Sequence, residues 1–249
     1  MALGFAFRLD DNCRLLIGVP LTVLFQEFVG RRPLRDAWVR HLARPRLDTR
    51  WAVLTAIFGA YPSLMTVRSM AAHHWVLALW FLAASIGATG AAFAIRHRRA
   101  GFFADALQCL TVAGGIGVAI DVGVALFAGT PVSPTGLLDR LLLGLRWLIL
   151  YFPVSFVLEE VTFRGVLDTH VAPEARPDWR TAAFVSALWG IWHSPGIPLL
   201  ETQPAVLVML VAIHMAVGVP LSLGWRRSGN LVVPALAHAL IDAVRNALN

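Results

Sequence analysis

Six residues in the C-terminal half of this chain have the types and spacing for acid–base chemistry: Glu159, Glu160, Arg164, His193, His238 and Asp242. They stand in three short stretches, LEEVTFRG (158–165), SALWGIWHSPG (186–196) and PALAHALID (234–242). On a helix, Glu160 and Arg164 are i and i+4, with the acid N-terminal as an ion pair prefers. Glu159 points about 100° away from that pair. A carboxyl left without a countercharge in apolar surroundings is suited to accept a proton as a general base. Asp242 follows His238 at i+4, so the carboxylate can orient the imidazole, or the two can ligate a metal together. The same charges also fit an ion pair that merely holds helices together, and a single histidine in such a setting is more often a packing residue. Both readings stay open at this level.

The surroundings raise the stakes. The chain of 249 residues is 57% hydrophobic and only 14% charged, against about 25% charged in soluble domains, which makes it a polytopic membrane protein. A charge near the bilayer centre costs roughly 2.5–3.5 kcal/mol, so these residues must be paired or face a polar cavity. The net charge of +6 is no signature of nucleic-acid binding, because the arginines sit between apolar runs and not along a basic stripe. All 21 basic residues are Arg and none is Lys, the bias of a GC-rich coding sequence, from which a bacterial source is expected. Cys13 and Cys109 form no CxxC and read as small apolar residues. Acids interrupt MALGFAFRLDDNCR, so a cleaved signal peptide is not expected.

The elements that must position the six residues are transmembrane helices of about 20 residues each. Eight spans are expected, at about 15–30, 51–67, 75–95, 102–129, 141–160, 180–200, 204–224 and 231–248. The fold class is all-α, a polytopic helix bundle. Residues 1–139 bring the N-terminal helices and an arginine-rich cytoplasmic loop, and 140–249 bring the core that carries the site, in one integrated membrane domain. The fourth span is too long for one upright helix and is expected to tilt or break around its glycines. The stretches 30–50, 96–100, 164–180 and 225–230 hold 15 of the arginines and alternate consistently with the spans, so they are assigned to the cytoplasm. Tryptophans at span ends, Trp51, Trp75 and Trp225, read as interfacial anchors.

Counted from the arginine-rich side at 1.5 Å per residue, Glu159, His193 and His238 lie roughly 16, 20 and 12 Å deep. Three helices thus carry ionisable residues at comparable depth, which defines a candidate site within reach of the cytoplasm. His214, also mid-span, is assigned to an interhelical hydrogen bond. GGIGVAIDVG (114–123) is glycine-rich but lacks a strand–turn–helix context, so it reads as helix packing, with Asp121 directed away from the site.

The three stretches together resemble the motifs of the CPBP intramembrane proteases, the family of the Rce-type CAAX prenyl endopeptidases and their bacterial relatives. The family pattern is EExxxR, FxxxH and HxxxN. Glu159, Glu160 and Arg164 match the first in full; His193 keeps the second with Trp189 in place of Phe; His238 keeps the third with Asp242 in place of Asn. The resemblance covers about residues 140–248. It implies that Glu159 activates a water for attack on a peptide carbonyl with help from His193, that His238 and its partner stabilise the oxyanion, and that Glu160 and Arg164 are a structural pair. It leaves open whether a divalent metal such as zinc takes part, for which Glu159, His193, His238 and Asp242 are the possible ligands. An ionised Asp242 cannot donate a hydrogen bond to an oxyanion, whereas a carboxylate is a good metal ligand.

Competing functions fit less well. The chain has no HExxH, GxGD or GxSG, the signatures of other intramembrane proteases. A proton-coupled transporter would favour inverted repeats, and none is visible. A non-catalytic scaffold or immunity-type protein of the same fold is the main alternative, given Trp189 and Asp242. The expected partners are membrane lipid and a membrane-associated protein or peptide substrate, and the expected location is the bacterial inner membrane with the site facing the cytoplasm.

Overall fold

A computed structural model of the protein describes residues 11–40, 42, 44–129, 136–194 and 203–248. These residues form eight helices and no strand. We label them α1 (Asp11–Leu24, continued as a widened turn through Phe25–Val29), α2 (Thr49–Ala71) and α3 (Trp75–Arg96). Then come α4 (Phe102–Cys109, running through 110–114 into Gly115–Phe127) and α5 (Leu137–Ser155, Phe156–Asp168 and Thr169–Val171 in one continuous rod). The last three are α6 (Trp179–Trp192), α7 (Ala205–Ser228) and α8 (Val232–Leu248).

Four of them, Trp75–Arg96, Phe102–Phe127, Leu138–Val171 and Ala205–Ser228, are by themselves long and apolar enough to cross a membrane. The other four are shorter or more polar, and they pack against these. The protein is an all-α membrane helix bundle, as the composition requires. The expected break in the fourth span is a local one: the backbone widens to i→i+5 bonding over Leu110–Gly114 and the helix continues. The end of the expected sixth span, 195–200, lies outside the described residues; α6 itself stops at Trp192.

The arginine-rich end is built as well as charged. Asp168, fully buried at the end of α5, takes Arg226 Nε on Oδ1 at 2.9 Å and Arg226 Nη2 on Oδ2 at 3.0 Å, with Arg40 Nη2 at 3.3 Å. Burial pushes the Arg40 guanidinium down to about 10, against the pull of Asp168. The loop that carries Arg40 is tied down by backbone bonds, Arg40 N–H to Gly229 O at 2.9 Å and Leu231 N–H to Trp38 O at 3.0 Å. Gly229 permits this turn with φ at +61°. Asp48 caps α2 by accepting from Trp51 N–H at 3.1 Å and pairs with Arg96 on α3. Several of the arginines that the sequence explains by topology alone are therefore also structural.

Candidate active site

The EEVTFRG stretch forms the centre of a 13-residue run of π-helix, Phe156–Asp168. Such widened turns are rare and concentrate at functional sites. Glu160 and Arg164 keep a common face, Oε1 to Nη1 at 3.2 Å, both fully buried. The Arg164 guanidinium also lies 4.2 Å over the Trp189 ring. Two glycines make room for this layer. A Cβ on Gly165 would sit 2.4 Å from Ala37 O, so the short Leu34–Ala37 turn seats directly on α5. A Cβ on Gly218 of α7 would sit 2.5 Å from Ser186 Oγ and 2.9 Å from Arg164 Nη2.

His238 faces the same pair from α8. Its Nδ1 is 2.8 Å from Glu160 Oε1, and its Nε2 is 3.6 Å from Asp242 Oδ2. With a carboxylate on each side of the ring the geometry suits an imidazolium that donates from Nδ1 to Glu160, while Nε2, 3.6 Å from Asp242, makes no hydrogen bond among the described residues. Asp242 in turn accepts from Ser155 Oγ–H at 3.0 Å and pairs with Arg245. Three carboxylates (Glu159, Glu160, Asp242) then stand with two guanidiniums (Arg164, Arg245), and a charged His238 brings the cluster to neutrality.

Glu159 is separate from that layer. Its Oε2 accepts from the Trp189 indole N–H at 2.7 Å and lies 3.5 Å from His193 Nε2. His193 Nδ1 is 2.9 Å from Trp189 O. A carbonyl only accepts, so Nδ1 is the protonated nitrogen, and Nε2 and Glu159 are left to share one further proton. Such a pair can take a proton from water and return it to a leaving group. His214 joins them: its ring centroid is 4.6 Å from that of His193 and 4.5 Å from that of Trp189, and its Nδ1 bonds Leu210 O at 2.7 Å. The sequence reading assigned His214 a role between helices; the packing of α7 on α6 brings it to the site.

These groups line one polar cavity of about 450 Å³, with Asp121, Tyr151 and Arg245 on its wall. Asp121 was expected to point away from the site; it borders the same cavity. A larger cavity of about 790 Å³, between residues such as Phe58, Phe81, Phe103 and Leu148, is apolar and holds none of the six site residues. The polar cavity is the chemically competent one.

Its lining residues Glu159 on α5 and His238 on α8 lie in the half of each helix nearer the arginine-rich loops, whereas Leu15, Trp80 and Leu210 lie toward the opposite ends of theirs. Toward those loops lie buried Glu160, Arg164 and Asp168.

A metal does not fit the donors well. Among the described residues no group of three His, Cys, Asp or Glu side chains stands in position to hold one. Asp242 has one oxygen on Ser155 and the other on Arg245, and His238 Nδ1 is committed to Glu160. Of the ligand set Glu159, His193, His238 and Asp242 that the sequence allowed, Asp242 and the Nδ1 of His238 are therefore already held by partners within the protein.

Residues 141–244 match the family model described as Type II CAAX prenyl endopeptidase Rce1-like. No curated protein and no solved structure gave a significant match. The matched segment holds all six residues named at the outset, on α5, at the end of α6 and on α8, and Glu159, His193, His238 and Asp242 among them line one polar cavity. That segment is similar to the CPBP family of CAAX-type intramembrane proteases.

Proposed function

We propose that this protein is an intramembrane endopeptidase that hydrolyses a peptide bond of a membrane-associated protein or peptide through a water activated by Glu159. The observation that carries this reading is the Glu159–His193 pair, 3.5 Å apart at the cavity wall with the far nitrogen of the imidazole fixed by a backbone carbonyl. Glu159 accepts the proton of the attacking water; the protonated Glu159–His193 pair returns it to the leaving amine. His238, with carboxylates at both nitrogens, faces the cavity as the donor for the tetrahedral oxyanion. Glu160 and Arg164 fix His238 and Trp189 in place without touching the substrate. Asp242, bonded as an acceptor, acts on the imidazolium of His238 and not on the oxyanion. No metal enters this scheme, and no step needs one.

The test compares the termini of membrane proteins in cells that express wild type or Glu159→Gln at equal levels. New termini that appear only with wild type support the reading and name the substrate. Identical profiles, with Glu159→Gln still rescuing a deletion phenotype, would replace it by a non-catalytic scaffold of the same fold.

A further inference from the structure

Trp189 stands where the family pattern has Phe, and its indole adds a fused pyrrole ring whose N–H is a donor that phenylalanine lacks. In this fold that group is not idle. It donates to Glu159 Oε2 at 2.7 Å, the shortest contact that Glu159 makes among the described residues. The backbone carbonyl of the same residue accepts from His193 Nδ1 at 2.9 Å. One residue therefore orients the carboxylate with its side chain and sets the imidazole tautomer with its main chain.

The ring that carries the N–H is itself clamped. Arg164 covers it at 4.2 Å. His214 meets it edge-on with centroids 4.5 Å apart, and His238 does so at 5.0 Å. Trp189 is 4% exposed, so its orientation follows the buried Glu160–Arg164–His238 layer. Because both Trp189 and His193 bear on Oε2, Oε1 is the oxygen of Glu159 without a hydrogen-bond partner among the described residues. That oxygen is the one available to a water.

We propose that Trp189 is a positioning residue that holds Glu159 by its indole N–H, so that Oε1 is presented to the hydrolytic water and the buried ion-pair layer is coupled mechanically to the base. The proposal rests on Glu159 being that base. A phenylalanine keeps a six-membered aromatic ring and the backbone carbonyl to His193, and removes the donor together with the pyrrole half of the indole. A hydrogen bond to a charged group is worth enough to expect a loss of about tenfold or more.

Two measurements on the full-length protein test it. In protein labelled with ¹⁵N at the tryptophan indoles, Trp189→Phe identifies the Trp189 resonance by its absence. That resonance is expected downfield in wild type and shifted in Glu159→Gln; a resonance that does not move would overturn the hydrogen bond and with it the proposal. In cleavage of a peptide that spans a site found by the terminal comparison, Trp189→Phe is expected to lower kcat about tenfold with KM within about twofold. Unchanged kcat, or a rise in KM alone, would also overturn it. Should Glu159→Gln retain cleavage while the resonance shifts as expected, the failure belongs to the catalytic reading of Glu159 and not to the contact.

Discussion

Glu160 of α5 and His238 of α8 face each other at 2.8 Å across the centre of the bundle, in a layer from which water is excluded. Glu160 also pairs with Arg164, so one carboxylate serves two cations from two helices. This shared acceptor makes the motif residues one unit: the pair that looks structural in the sequence is what orients the histidine of the site.

Breaking that unit from one side should be severe. Glu160→Gln leaves the Arg164 guanidinium buried without its countercharge, which costs about 3–5 kcal/mol. The double variant Glu160→Gln, Arg164→Met buries no lone charge and is expected to unfold later than Glu160→Gln alone. Thermal denaturation in detergent decides this; a double variant as damaged as the sum of the singles would mean that the pair is not coupled.

Asp242 gives the second prediction. Bonded by Ser155 and Arg245 and 3.6 Å from His238 Nε2, it supports a charged imidazole and is not itself a donor. Asp242→Asn, although it restores the family's residue, should therefore lower kcat/KM, by about tenfold. A gain in activity would show that the protein lacks an oxyanion donor at this place and that Asn supplies it.

Metal removal is the third. Because the oxygens of Asp242 are held within the protein, purified enzyme should keep its cleavage activity after dialysis against a strong chelator, with metal content well below one equivalent. Activity lost on chelation and regained with zinc would require Arg245 to swing away from Asp242.

Acid should loosen the arginine-rich end. The Arg96 guanidinium and the Trp51 N–H hold the Asp48 carboxyl well below the usual carboxylate range. A carboxylate with a depressed pKa adds stability above its unfolded value, and that contribution disappears as pH falls through the folded value. The gap in melting temperature between wild type and Asp48→Asn should be constant from pH 7 down to about 4 and close below that. A gap that widens on acidification would reverse the sign of the argument.

Orientation is open to a direct measurement. The arginine-rich stretches hold 15 of the 21 arginines. The positive-inside rule puts that end of the bundle on the cytoplasmic side. With Cys13 and Cys109 replaced by alanine, Gln203→Cys should react with an impermeant maleimide in intact cells and Arg98→Cys only after lysis. The reverse pattern would put the arginine-rich end outside. It would show that arginines such as Arg40 and Arg226 answer to Asp168 and not to topology.

The sequence by itself determined the class of the molecule and named the residues of its candidate site. Apolar runs of membrane length need helices whatever they pack against, and Glu160 and Arg164 are neighbours by helical spacing alone, which the 3.2 Å pair reflects. Contacts within one helix are local and can be counted along the chain. Contacts between helices are not. That His238 turns to Glu160 with one nitrogen and to Asp242 with the other, that Trp189 donates to Glu159, and that His214 stacks on His193 depend on the rotation of α6, α7 and α8 about their axes. That rotation is set by close approaches such as Gly218 on Ser186. The buried Asp168, which closes one end of the bundle, carried no motif to mark it. Its partners come from a loop and a helix more than 50 residues away in sequence. Only the packed structure brings Arg40 and Arg226 to one carboxylate, because an ion pair stable in a dry interior needs all its partners at once.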